Sequence, residues 1–205
     1  MNEKELIKKC KEGYVEAFEE LISSHQTRVY NIALKMLKNE EDAYDASQDA
    51  LLKAFKYIKN FKEESSFSTW IYRITVNVCL DMIKKNKEKR NVISIEQQIS
   101  LKDNDVTIQF EDKSQNVMED ILKNERKKVL HEAIDALPAH HREMIILRDI
   151  EGFSYEEIAQ ITKNNAGTVK SKINRARNAL KKILTDNREL FFFATVLLIM
   201  RGGLL

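Results

Sequence analysis

Apolar residues recur along this chain at the spacing of helix faces. From Ser154 onward the pattern is clearest: Ser154 followed by Glu157 has the form of a capping box, and Gly152 just before it suits the residue after a helix end. Ile158, Ala159 and Ile161 then face one way, the rhythm lapses over 161–166, and Asn165 can cap a second helix in which Val169, Ile173, Ala176, Leu180 and Ile183 recur. This predicts a helix-turn-helix. In the first half, Phe18, Leu21, Ile22, Val29, Ile32, Ala33, Met36 and Leu37 lie near a single face and predict one helix. A second helix is expected from Glu40, burying Ala46, Ala50, Ala54, Phe55 and Ile58. After a polar link from Phe61 to Ser66, a third is expected from Phe67 to Asn86, with Phe67, Ile71, Ile74, Val78 and Met82 inward and Trp70, Tyr72, Arg73 and Asn77 on other faces. The stretch that follows has no clean period until about Met118, where helix resumes.

Composition narrows the class. The 205 residues are 43% hydrophobic and 32% charged, enough to bury one or two small cores, and five glycines with a single proline argue against strands and tight turns. The expected fold is all-α: two small helical modules joined by a flexible acidic linker, the C-terminal one a helix-turn-helix. The boundaries are 1–90 for the first module, 91–117 for the linker, 118–187 for the second module and 188–205 for an apolar tail. Cys10 and Cys79 are far apart in sequence and read as reduced thiols. The first residues have no apolar core of a secretory signal. His140 and His141 would point about 100° apart on a helix, poor geometry for sharing a metal, so neither a metal nor a cofactor is expected. With no phosphate loop, zinc-protease or nucleophile-elbow motif, nothing supports an enzyme.

Charge is segregated, and local fields rather than the small net charge of +2 decide what binds. From Lys170 to Lys182 there are six basic residues and no acid. On the second helix of a helix-turn-helix this suits duplex DNA; the bland alternative is a solvated face. The third helix closes on Lys84, Lys85, Lys87, Lys89 and Arg90 against Glu88, which satisfies the helix dipole and, beside aromatics and Asn77, also suits unpaired bases and phosphate. Acids crowd the start of the second helix: Glu40, Glu41, Asp42, Asp45 and Asp49. The dipole favours those of the first turn but fades before Asp49. Between Asn91 and Glu125 eight acids stand against three lysines. About 25 extended residues at about 3.3 Å each reach roughly 80 Å, enough to serve DNA sites one or two helical turns apart.

The strings Glu16-Ala17-Phe18-Glu19-Glu20-Leu21, Glu41-Asp42-Ala43-Tyr44-Asp45-Ala46-Ser47-Gln48-Asp49 and Phe67-Ser68-Thr69-Trp70-Ile71-Tyr72-Arg73-Ile74 have counterparts in a known family. So do Ala136-Leu137-Pro138 with His141-Arg142-Glu143, Phe153-Ser154-Tyr155-Glu156-Glu157-Ile158-Ala159, and Gly167-Thr168-Val169-Lys170-Ser171. In this order and spacing, from about Tyr14 to Leu184, the chain resembles the extracytoplasmic-function group of the sigma-70 family of bacterial RNA polymerase sigma factors. The resemblance implies a cytoplasmic protein that binds core RNA polymerase, through the β′ clamp helices and the β flap, and directs promoter recognition, DNA melting and transcription initiation. It makes Asp45, Gln48 and Asp49 the core-binding candidates. Phe61, Lys62, Glu64 and Ser65 would surround a base flipped from the −10 element, with Trp70, Arg73, Asn77, Lys84 and Lys85 along the same element. Thr168, Lys170, Ser171, Lys172, Asn174, Arg175 and Arg177 would meet the −35 element in the major groove, Lys172, Arg177 and Lys181 more on phosphate. An anti-sigma protein is the implied regulator, and the acidic linker would follow the polymerase's RNA exit channel.

Two positions depart from the family pattern. Thr162-Lys163-Asn164 stands where Leu-Gly-Ile is usual, so a left-handed Lys163 would cost on the order of 1 kcal/mol and loosen the turn slightly. Glu63 stands where glycine is common. Leu190 to Met200 is an eleven-residue run, apolar except for Thr195, short of the roughly 20 that span a bilayer, so no stable membrane span is expected and a buried or partner-covered helix is the first reading. The rival functional reading is a stand-alone helix-turn-helix regulator that binds duplex without polymerase; a membrane-linked signalling protein rests on the tail alone.

Overall fold

The first ten residues after Asn2 already make a helix that the apolar pattern upstream of Phe18 did not single out. Helix α1 (Glu3–Glu12) starts on an Asn2–Glu5 capping box and stops at Gly13, whose φ of 103° is open to glycine at little cost. Its Leu6, Ile7 and Cys10 are buried, packing α1 against the following helix. The computed structural model describes residues 2–93 and 117–186, and every described element is helical. The body of the expected linker and the apolar tail 190–200 lie outside the described residues.

The single helix expected over Phe18 to Leu37 is two: α2 (Val15–Ser23) and α3 (Gln26–Leu37). The chain breaks at Ser24 and His25 because tertiary contacts claim the break. The Ser23 hydroxyl turns back to the Glu20 carbonyl at 2.7 Å, and the His25 ring settles against Phe67 and Tyr72, with Nδ1 3.1 Å from the Tyr72 hydroxyl. Burial holds the His25 pKa below the usual imidazole value, with Glu3 raising it and Arg28 lowering it further. Helix α4 (Glu40–Tyr57) is capped by Asn39, whose side chain accepts from the Asp42 amide at 2.8 Å. Ala43, Ala46, Ala50 and Ala54 are wholly buried, and these small side chains let α4 lie close along α3. Phe55 does not join that face: it is 39% exposed and meets Phe18 edge-on at 5.1 Å.

A 3-10 turn (Ile58–Asn60) leads into the link, and α5 runs from Phe67 to Ile93, beyond the expected end at Asn86. Its buried surface is an arc and not a stripe. Trp70, Tyr72, Thr75, Val76 and Cys79 are buried beside Phe67, Ile71 and Val78, while Ile74 and Met82 are only half-buried. Trp70 and Tyr72 therefore belong to packed faces, because α5 is covered on more than one side.

Helix α6 (Val117–Ala136) precedes Pro138, which opens α7 (Ala139–Ile145); the backbone then widens into a π-helical turn (Ile146–Ile150). The Glu151 amide donates to the Ile146 carbonyl at 2.8 Å, and Gly152, at φ 75°, reverses the chain into Phe153. The capping box of α8 (Tyr155–Thr162) is formed in both directions: the Glu157 amide donates to Ser154 Oγ at 3.1 Å, and the Ser154 amide to the Glu157 carboxylate at 2.8 Å. Asn165 caps α9 (Ala166–Asp186), accepting from the Thr168 amide at 2.7 Å. Val169, Ile173 and Ala176 are buried on the inner face of α9. Residues 1–85 and 137–179 group into one compact unit, within which α3 packs on α7 and on the π turn.

Candidate protein and nucleic-acid interfaces

Helix α4 keeps its four buried alanines on one side and shows Asp45, Gln48 and Asp49 to solvent on the other. Asp49 pairs with Lys53 one turn on, at 2.9 Å. Leu52 extends the same strip and is 67% exposed. The strip thus sets one exposed apolar side chain beside exposed carboxylates, of which Asp49 is paired with Lys53. Sequence periodicity missed Leu52, since an exposed leucine differs from a buried one only in the tertiary fold.

The link after the 3-10 turn is held from below. Phe61, 4% exposed, Phe67 and Trp70, 7% exposed, form an aromatic cluster with ring centroids 5.1–6.0 Å apart. Phe61 and Trp70 thus form the floor of the link, with Lys62 and Glu64 exposed above it and Ser65 half-buried. Ser66 starts α5: its hydroxyl accepts from the Thr69 amide at 3.1 Å and bonds Ser68 and Thr69 hydroxyls. Glu63 is left-handed at φ 60°, and its carboxylate takes a 2.5 Å bond from Lys11, whose ammonium also lies 5.7 Å from the Phe61 ring centroid. Lys11 is a member of this site that the sequence did not reveal, because it comes from α1, some fifty residues away. Along α5, Arg73 is half-buried, and Asn77, Lys84 and Lys85 are exposed. Asn77 and the two lysines therefore have the access that contact with a strand requires.

The outer face of α9 carries the other basic surface. Lys170, Ser171, Asn174, Arg175 and Arg177 are exposed, and Thr168 and Lys172 are half-buried. Lys170, Ser171, Asn174 and Arg177 line a shallow groove of about 340 Å³ together with Ile173 and with Tyr155 from α8. Arg177 is not a free phosphate ligand in this conformation: its Nε donates to Asp149 at 3.1 Å and its Nη2 to the other carboxylate oxygen. The Arg148 guanidinium lies 4.8 Å from the Tyr155 ring centroid. The π turn brings Arg148 and Asp149 to this face. No local sequence signal announces a π turn, so both residues, and Tyr155, were missed.

At the turn, Lys163 is left-handed (φ 52°, ψ 41°), the conformation in which a side chain costs on the order of 1 kcal/mol. Asn164 satisfies itself locally, its amide donating to the Thr162 carbonyl at 2.9 Å and hydroxyl at 2.8 Å while Lys172 donates to its oxygen at 3.1 Å. Lys172 is thereby engaged in bracing the turn. Beneath it, burial pushes the Glu143 carboxyl up to about 7, against the opposing attraction of Lys172. The His140 and His141 rings lie 4.2 Å apart at a tilt of 58°; among the described residues no cluster of metal-ligating side chains forms.

Comparison with known proteins gives this geometry its family. Residues 21–89 match the family description Sigma-70 region 2, and 127–180 match Sigma-70, region 4. The chain is 30% identical to the ECF RNA polymerase sigma factor SigW of Bacillus subtilis over 89% of its length and 97% of the relative's. It is 33% identical to the sigma factor SigV of the same organism over 80% of this chain and 89% of the relative. Among solved structures, the sigma factor RpoE of Bartonella quintana, in complex with the anti-sigma factor NepR, superposes with a TM-score of 0.63 at 27% identity, covering 83% of this chain and 98% of that one. With regions 2 and 4 both present and relatives matched almost end to end, this chain belongs to the extracytoplasmic-function family of RNA polymerase sigma factors.

Proposed function

We propose that this sigma factor divides its work among the three surfaces described. Asp45, Gln48 and Asp49, joined by Leu52, dock on the β′ clamp helices of core polymerase. Lys62, Glu64 and Ser65, above the floor of Phe61 and Trp70, receive a base extruded from the −10 element. A fitted pocket offsets the few kcal/mol of unstacking. Arg73, Asn77, Lys84 and Lys85 follow the strand upstream. Lys170, Ser171, Asn174 and Arg175 read the −35 element, with Thr168, Lys172 and Arg177 at its backbone. The protein makes and breaks no bonds; phosphoryl transfer is the polymerase's. It acts in the cytoplasm, where its template lies. Among the described residues no helix is long and apolar enough to cross a membrane. An anti-sigma protein is the proposed regulator, as one accompanies the Bartonella relative.

The observation that carries this reading is the strip on α4, where carboxylates and a leucine stand exposed on a helix whose opposite face is packed solid with alanine. Run-off transcription with purified core polymerase and genomic promoters tests the whole. Specific transcripts that depend on this protein are expected, and tight occupation of a single operator without any affinity for core would overturn it.

A further inference from the structure

Glu63 holds a left-handed backbone, φ 60°, in the link between the 3-10 turn and α5. A residue with a Cβ is strained there, and glycine is not. The Glu63 carboxylate takes a 2.5 Å bond from Lys11, but both side chains are partly exposed, 29% for Lys11 and 49% for Glu63. An exposed ion pair gains little against screening and side-chain entropy, no more than the backbone strain costs. The pair therefore adds nothing net to the stability of the fold. What it fixes is the path of the link.

The anchor comes from outside the region that the family model matches. Lys11 belongs to α1, upstream of residues 21–89, and α1 packs on the 3-10 turn from which the link leaves. Buried Leu6, Ile7 and Cys10 make α1 a fixed post. Lys11 stands in its last turn, where the helix dipole favours a cation, and its ammonium lies 5.7 Å from the Phe61 ring centroid. Phe61 is in turn 5.1 Å from Trp70. One cation thus meets both the floor of the link and its rim. Charge balance points the same way: a bare carboxylate beside a single strand repels phosphate, and Lys11 neutralises it.

We infer that Lys11 and Glu63 form a strut that holds the link in the shape that receives the extruded base, Lys11 acting as a positioning residue through Glu63 and not as a phosphate ligand. The inference rests on the reading of the link as the −10 base pocket. A link held in one conformation offers its pocket in a larger fraction of molecules, so losing the strut lowers affinity for the base by the drop in that fraction, about threefold to fivefold for an exposed pair. The loss is confined to strands that carry the base.

The test uses the full chain with core polymerase and a dye-labelled single-stranded oligonucleotide from the −10 region of a promoter found by run-off transcription, with binding read by fluorescence anisotropy. An abasic site moved along the oligonucleotide identifies the trapped base as the position of greatest loss. Lys11→Ala should weaken the intact strand about threefold to fivefold and leave the strand abasic at that position unaffected. Glu63→Ala should also weaken the intact strand, although it removes a negative charge from a surface that meets a polyanion. The double variant should lose no more than either single one, since each removes the same strut. Equal weakening of intact and abasic strands by Lys11→Ala, tighter binding by Glu63→Ala, or additive losses in the double variant overturns the strut. In the free protein Trp70 is the only tryptophan and lies in the floor of the link, so either single variant should increase acrylamide quenching of its fluorescence, and unchanged quenching in both overturns the strut as well. An abasic scan of the wild type that finds no position of loss overturns the −10 reading instead, and the quenching of Trp70 still judges the strut.

Discussion

At the residue scale, two positions hold a conformation or a charge state that the surrounding fold imposes. Lys163 is left-handed, a strain of about 1 kcal/mol for a residue with a Cβ. Lys163→Gly relieves that strain but loses about 0.4–1 kcal/mol in chain entropy, so it should stabilise the fold by no more than about 0.5 kcal/mol, and thermal denaturation checks it. Glu143 is buried with a pKa near 7 against an ordinary 4.5. Below 4.5 the group is protonated folded or unfolded. Between 4.5 and about 7 the unfolded chain has lost the proton that the folded chain keeps, so stability falls as pH rises and levels off above 7. The loss is about 3 kcal/mol. Glu143→Gln should accordingly raise the melting temperature more at pH 8 than at pH 4, and an equal change at both would show that the carboxyl titrates normally. Arg175, exposed and directed outward, is the sharper probe of recognition: Arg175→Ala should weaken −35 binding by about 1–3 kcal/mol if it reads a base edge, measured by duplex titration.

The elements show which parts of the site could be read from the sequence. Both caps of the helix-turn-helix, Ser154 and Asn165, were legible because capping depends on residues within four positions of each other. The extent of α5's buried arc was not. Trp70 and Tyr72 lie off its main stripe and are buried only because other elements cover them. Phe55 shows the converse, an aromatic at helical spacing left 39% exposed. The break between α2 and α3 was hidden for a related reason, since apolar periodicity continues across it and only the packing of His25 marks it. For function, α4 is the decisive element. Asp45→Arg with Gln48→Ala alters only its solvent face, so helix content and melting should persist while binding to core polymerase, measured by co-purification, is abolished.

For the whole molecule, what matters is how charge is distributed. With six basic residues on one stretch of α9 and a net charge of only +2, the field that meets DNA is local. Lys181→Ala should weaken binding to all duplexes alike and lower the salt-dependence slope by about 1, the mark of a lost phosphate contact. Arg177 should contribute less to that slope than its charge suggests, because Asp149 already pairs with it. The sequence by itself determined the all-helical fold, the caps, the helix-turn-helix and the segregation of acid from base, because each is set by neighbours within a turn or two of chain. Tertiary structure alone decided that Lys11 reaches Glu63, that a π turn delivers Asp149 to Arg177, and that Glu151 lies between Arg28 and Lys35. Those contacts join residues 28 to 123 positions apart, and no local pattern encodes which distant charges will meet.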